Sequence, residues 1–342
     1  MDSPESVQTD PEGLGRTVVP RSRGIGALLR GKRLQVAITV VGLVVWLLFV
    51  AGAPSTFLQW NIYSAFLTTT PYFGLVAVPL TLVVIAGEID LSFGSVMAWG
   101  MTVFALIYMN THNEWLAFAG CLIAGLLAGG INGILVVGFG IPSLIATIGT
   151  QFFWAGVALV VTNAQPLDMT PTLNTPLYSG VVGRVFGVVP MQFVWMVIIG
   201  IGTWILLNRT RFGAHVYLVG DNIESARLMG VNVGYVKIGV FALVGVAAAF
   251  AGFVQSSDVL TFWPTMGQGN LLQTLAAVFL GGTSVFGGFG TVYGTFVGAF
   301  IINGIQPGIV ASGLTGYWTQ VIYGFIIVVS LAIQGVMRRR SV

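Results

Sequence analysis

Long apolar runs separated by short polar stretches fill most of the chain, at about 36–53, 62–86, 92–110, 115–139, 141–163, 191–208, 236–255, 270–281, 290–311 and 317–336. At about 1.5 Å per residue, nearly all are long enough to cross a hydrocarbon core of about 30 Å. The pattern predicts an all-α integral membrane protein with about ten transmembrane helices. The run Leu271–Gly281 covers only about half that thickness as a straight helix, so it predicts a short or broken span. No small-residue cleavage pattern of the A-x-A type follows the first run, which is read as an uncleaved helix.

The polar remainder sets the organisation. Residues 1–35, with Pro4, Pro11, Pro20 and six basic residues, read as a mobile cytoplasmic arm. Residues 36–337 form the transmembrane domain, with a large loop at 164–190 and another at 208–235, and 338–342 form a basic tail. Loops of this size between ordered elements are commonly functional. With ten crossings, thirteen of the fourteen Lys/Arg fall on one side and only Arg184 on the other. A basic excess marks the cytoplasm, so both termini and the 208–235 loop are expected inside and the 164–190 loop outside. The same parity makes 271–281 run from outside to inside.

Composition narrows the function. Hydrophobic residues make up 56% of the 342 and charged residues 7%, far from a soluble domain. A net charge of +3 gives no face for nucleic acid. Cys121 is the single cysteine, and His112 and His215 lie far apart, so neither a disulfide, a Cys-rich metal site nor a zinc hydrolase is expected. No GxxxxGK[ST] loop occurs, so no catalytic or nucleotide-binding residue is assigned. A membrane enzyme lacks a clustered His/Asp/Glu set or a base-paired nucleophile. An ion-coupled secondary transporter is the main rival, although it normally needs a titratable group near the bilayer centre, and none can be placed there from the sequence.

Four features carry candidate chemistry. In the inner loop, Glu224-Ser225-Ala226 followed by Gly230 has the spacing of a short helix closed by a glycine, and Asn222–Met229 is shaped to enter a partner's groove. Glu88, Asp90 and Ser92 form a polar turn between the second and third spans. Its plain reading is a solvated interface with Asp90 and Ser92 as a helix N-cap; its functional reading is a gate or signalling turn. Gly290, Gly294 and Gly298, and Gly125, Gly129 and Gly133, form small-residue stripes suited to close helix packing. A weak echo aligns Gly87, Gly94 and Gly100 with Gly281, Gly288 and Gly294. The fourth feature is a set of uncharged polar and aromatic residues within spans: Asn132, Gln151, Thr162, Asn303 and Gln306, with Phe152, Phe153 and Trp154. Helix-to-helix hydrogen bonding explains any one of them. Together they suit a neutral sugar or polyol, whose hydroxyls need donors and acceptors and whose CH faces pack on rings. Asp258, Trp263 and Gln268, with the 164–190 loop, suggest an outer landing surface, and His112 and Glu114 read as surface residues.

Four stretches, in order, resemble the ribose/galactose (simple sugar) branch of ABC importer permeases: Gly87–Ser95 (GEIDLSFGS), Pro142–Thr150 (PSLIATIGT), Thr210–Val233 and Leu275–Gly298. The likeness covers roughly residues 36–337. The family commonly has glycine where this chain has Glu88. The inner loop also resembles the EAA coupling loop of such permeases, with Ser225 at its second position and without its closing proline. The resemblance implies a non-enzymatic permease of the bacterial inner membrane. It works as a homo- or heterodimer on cytoplasmic ABC ATPase subunits that hold ATP and Mg, receives solute from a periplasmic sugar-binding protein, and contacts membrane lipid. It further implies that Gly220, Asp221, Asn222, Glu224, Ala226, Arg227 and Gly230 contact the ATPase; the residues themselves make Glu88, Asp90 and Ser92 the candidate gate or signalling turn and Asn132, Gln151, Phe152, Trp154, Asn303 and Gln306 the candidate pathway.

Overall fold

A computed structural model describes residues 33–339. The N-terminal arm up to residue 32 and the last three residues of the basic tail lie outside that range. All ten apolar runs become helical. Eight are single helices long enough to span: α1 (Arg33–Gly52), α5 (Phe93–Thr111), α6 (Glu114–Gly138), α7 (Ser143–Thr162), α9 (Met191–Arg209), α12 (Val233–Val259), α14 (Val292–Ala311) and α15 (Trp318–Arg339). Helix thus begins at Arg33, inside the expected arm, and continues through Arg338 and Arg339 of the expected tail. A single turn, α2 (Pro54–Phe57), follows α1.

The second run is not one straight helix. It divides into α3 (Trp60–Thr69) and α4 (Pro71–Ile85), inclined by 52°. Pro71 has no N–H for the preceding turn and its ring crowds that turn's carbonyl, which is the ordinary cause of a sharp kink. The eighth run is the ten-residue helix α13 (Leu271–Leu280), reached through Thr261–Phe262 and a 3₁₀ turn at Gln268–Asn270. It lies antiparallel to α14: a Cβ on Gly298 would press on the Ala277 carbonyl and one on Gly281 on the Gly294–Thr295 backbone.

The core gathers around α12 and α4. The glycines of α6 lie directly on α12, so that a Cβ on Gly125, Gly129 or Gly133 would strike Gly245, Phe241 or Ile238. Around this centre α1, α7, α9 and α15 turn large apolar side chains outward, such as Leu48, Phe152, Val160 and Phe325. Lipid is as apolar as the core, so such a surface carries no penalty here.

The 164–190 loop is ordered. Leu167–Asp168 (β1) pairs antiparallel with Thr261–Phe262 (β4), Arg184–Val185 (β2) with Val189–Pro190 (β3), and α8 (Pro176–Val182) lies between. Hydrogen bonds from the Thr170 hydroxyl (2.5 Å) and N–H (2.9 Å) hold the Asp168 carboxyl below its ordinary range. His112 is exposed in the left-handed turn after α5. Glu114 differs from its surface reading. α8 folds over it, it is 9% exposed, and one carboxylate oxygen accepts the Leu177 N–H at 3.5 Å.

Candidate functional site

The inner loop folds into two helices, α10 (Arg211–Asp221) and α11 (Ile223–Leu228). Asn222 caps α11 by accepting the Ser225 N–H at 2.9 Å, a typical use of a short amide at a helix start. Gly230 closes it at φ 78°, with its N–H on Arg227 O (2.9 Å) and the Val231 N–H on Ala226 O (3.0 Å). That left-handed position is where a glycine terminates a helix with least strain. Ala226 is buried, whereas Leu228 is 89% exposed beside exposed Ile223 and Met229. Glu224 and Arg227 bridge at 2.7 Å on the exposed face. A screened surface pair of this kind contributes little to stability.

Gly220 joins this arm to the bundle. A Cβ there would overlap the Ile85 carbonyl at the end of α4 and lie 2.6 Å from the Gly288 nitrogen. Gly288 N–H donates to the same Ile85 carbonyl at 2.8 Å, Gly288 lies against Asp221, and the Tyr217 hydroxyl of α10 donates to Gly290 O at 2.9 Å. The ends of α4 and α13 are alike: Gly87 and Gly282 have φ 82° and 81°. Their N–H groups bond Val84 O and Phe279 O, each at 3.0 Å, and the next N–H in each bonds Val83 O or Val278 O. The structural equivalent of Gly87 is therefore Gly282, one residue beyond the Gly281 that the sequence echo suggests.

The polar residues of the turn, Glu88, Asp90 and Ser92, are buried, not solvated. Glu88 forms an ion pair with Lys237 in α12, the two side chains being 10% and 13% exposed. Asp90, 1% exposed, accepts the Ser92 N–H (2.8 Å) and hydroxyl (2.7 Å) through Oδ1. Ser92 stands at the N-cap position of α5 but makes no capping bond, because its hydroxyl donates to Asp90 and accepts from Asn132 Nδ2 at 2.7 Å. Asn132 Oδ1 in turn accepts the Thr150 hydroxyl at 2.6 Å. Ile89 N–H donates to Ser143 Oγ at 3.1 Å. The connector thus ties α5, α6 and α7 together.

The pathway candidates separate. Asn132 belongs to that closed network. On α7, Phe152 is exposed on the lipid side and Trp154 stacks on Trp99 at 5.1 Å; neither they nor Gln151 reach the polar cavity. Asn303 and Gln306 do. They line a cavity of about 340 Å³ with Thr69, Tyr72, Asn270 and Gln273, at the break between α3 and α4 and the start of α13. Of two clefts of about 760 Å³ elsewhere, one has an almost wholly apolar lining suited to lipid chains and the other a mainly apolar lining with Gln35, Thr39 and Tyr293. Behind the cavity, Asp258 at the end of α12 accepts the Tyr72 hydroxyl and, at 2.6 Å, the Gln192 amide. The sequence reading missed Thr69, Tyr72, Asn270, Gln273 and Gln192, and it placed Asp258 on an outer landing surface. A lone carboxylate closing a 27-residue apolar helix was the available signal. No group of three or more His, Cys, Asp or Glu able to hold a metal occurs among the described residues.

Eight spanning helices, a broken ninth, a half-length helix at a polar cavity and an exposed helical arm on the inner loop define a multi-pass membrane permease. The chain belongs to the family of branched-chain amino acid transport system permease components, whose pattern it matches over residues 62–331, and it is a permease subunit of an ABC importer. It is 32% identical over 296 residues to the ribose import permease protein RbsC of Escherichia coli K12, covering 86% of this chain and 92% of the relative. To the autoinducer 2 import system permease protein LsrC of Klebsiella pneumoniae it is 33% identical over 318 residues, 91% and 89% of the two chains. No solved structure matches it significantly.

Proposed function

We propose that this permease passes a neutral sugar or polyol through the cavity at Asn303 and Gln306, across a bacterial inner membrane. A second copy or a related permease lines the path opposite. Solute arrives from a periplasmic sugar-binding protein, and two cytoplasmic ATPase subunits that bind ATP and Mg receive the Ile223–Leu228 helix in a surface groove. The observation that carries the reading is the continuity of the arm with both interrupted helices. Leu228 protrudes on one side of the arm, and on the other Gly220 is packed against the end of α4 and the loop leaving α13, the two helices whose far ends border the cavity.

In this reading, nucleotide binding closes the ATPases and displaces α10 and α11, with Gly220, Asp221, Asn222, Glu224, Ala226, Arg227 and Gly230 as the connecting arm. α4 and α13 move with it. The energy is the partner's differential affinity for two arrangements of the bundle, which the permease has only to possess. The buried turn at Glu88, Asp90 and Ser92 sits directly beyond Gly87 and holds α5 to α7, so it acts as a latch more than as a water-exposed gate. The uncharged amides of the cavity offer hydroxyl-bearing solutes both donors and acceptors.

Sugar uptake by proteoliposomes holding the permease with its co-purified ATPase tests this. Accumulation should require ATP on the ATPase side, and Leu228→Asp should abolish both ATPase association and uptake without changing the yield of folded permease. Uptake that follows an imposed ion gradient and ignores ATP would instead establish the secondary-transport reading.

A further inference from the structure

The cavity's hydrogen-bonding capacity is only partly used by the protein. The Thr69 hydroxyl donates to Ala65 O at 3.0 Å and accepts from Asn303 Nδ2 at 2.9 Å. The Asn270 amide donates to Gln255 Oε1 at 2.9 Å, and that of Gln273 reaches the Tyr323 hydroxyl at 3.4 Å, whose own proton goes to Ile302 O at 3.1 Å. Tyr72 gives its proton to Asp258. The hydroxyl protons of Thr69, Tyr72 and Tyr323 are therefore engaged by the protein. The amide oxygens of Asn270, Gln273 and Asn303 accept nothing from the described residues, and the Tyr72 oxygen keeps a free lone pair. Gln306 makes no hydrogen bond among the described residues, and the Asn270, Gln273 and Asn303 amides each keep a second N–H, so the lining leaves acceptors and donors vacant alike.

The charge behind this lining, by contrast, is one-sided. No residue bordering the cavity is charged, yet the Asp258 carboxylate stands one hydrogen bond behind Tyr72 and is held there by Gln192, which is 1% exposed. Its field reaches outward as well: after burial, it is the second cause raising the hydroxyl of Tyr178 in α8. The basic group of the outer loop, Arg184, is exposed and spends its guanidinium on Ser64 Oγ and Val188 O, each at 3.4 Å. Salt screens an exposed charge of this kind, whereas a carboxylate set among packed helices keeps its field.

We propose that Asp258 is a specificity-determining positioning residue. From behind Tyr72 its charge makes the cavity reject anions such as sugar acids and sugar phosphates, while the uncharged lining takes neutral solutes. This rests on the cavity being the pathway, and it adds a charge filter that neither the uncharged lining nor the resemblance to sugar permeases supplies.

The test needs no knowledge of the natural solute. In a Cys121→Ala background, Gln306→Cys places a thiol on the cavity wall and Phe186→Cys places a reference thiol on the exposed outer hairpin. Full-length protein in right-side-out membrane vesicles is treated with cationic trimethylammonium-ethyl or anionic sulfonatoethyl methanethiosulfonate. The cation-to-anion rate ratio at position 306, normalised to position 186, is the readout. We expect it to be well above one and to fall roughly fivefold or more in Asp258→Asn, the scale on which local fields alter ion encounter. Asp258→Glu should keep it, and Tyr72→Phe, which leaves the charge, should keep it within about twofold. A ratio that Asp258→Asn leaves unchanged overturns the filter while the pathway stands. A thiol at 306 that neither reagent reaches in the parent protein overturns the pathway reading, and the filter with it.

Discussion

Glu88 shows how a single residue's meaning depends on its neighbour. In sequence it stands in a polar turn between two spans, where a carboxylate is expected to be solvated. In the fold Lys237 lies opposite, and both side chains are nearly enclosed. Removing one partner of such a pair strands the other charge, so Glu88→Gln should destabilise the protein by about 3 kcal/mol. Replacing both, as in Glu88→Gln with Lys237→Met, should recover most of that loss, because two desolvation costs disappear together. Thermal unfolding of the purified variants in detergent checks both values, and a single variant as stable as the parent would refute the buried pair. Local sequence did make some residues legible. Asn222 and Gly230 bracket α11 as a cap and a closing glycine should, since each acts through bonds to its own chain neighbours. The plain N-cap reading of Asp90 and Ser92 failed for the opposite reason. The partner that draws Ser92 away from capping is Asn132, forty residues on and invisible to local pattern.

At the scale of elements, the glycines mark where backbones meet. The stripe on α6 faces α12, as small residues at intervals of four permit, and here spacing alone was informative. Gly220 was legible only as part of a resemblance. Its packing role comes from three segments arriving together, the ends of α4 and α10 and the loop before α14. Because the Ile85 carbonyl occupies the place of its Cβ, Gly220→Ala must push α10 away from α4. We expect such a protein to insert and to retain the ATPase, but to hydrolyse ATP without transport. Comparing ATPase rate with solute uptake in the same proteoliposomes measures this; tight coupling in Gly220→Ala would remove the junction from the mechanism. The broken helices divide in the same way. Shortness announced α13, whereas the bend at Pro71 was not read from the unbroken apolar run 62–86, and nothing in either segment indicated that the two interruptions would border one cavity.

For the whole molecule, the arrangement makes a simple statement about sidedness. The arm with Leu228 and the hairpin with Phe186 are 89% and 96% exposed and follow oppositely directed crossings. In a Cys121→Ala protein, a thiol from Leu228→Cys should react with an impermeant maleimide only in inside-out vesicles, and one from Phe186→Cys only in right-side-out vesicles. Reaction of both from the same face would refute the even-crossing topology. The apolar segments and their order were legible in the sequence alone, because hydropathy expresses each segment's own transfer energy between water and lipid; that eight of the ten runs are single spanning helices, one a bent pair and one a half-length helix, is the structure's own addition. The short arm helix was legible too, since it is closed by its own cap residues. The cavity, the Tyr72–Asp258–Gln192 contacts and the outward turn of Phe152 were decided only by tertiary structure. Once a segment lies in the membrane, which of its faces meets a neighbour and which meets lipid is a matter of packing between distant helices, and no single segment's composition encodes its partner.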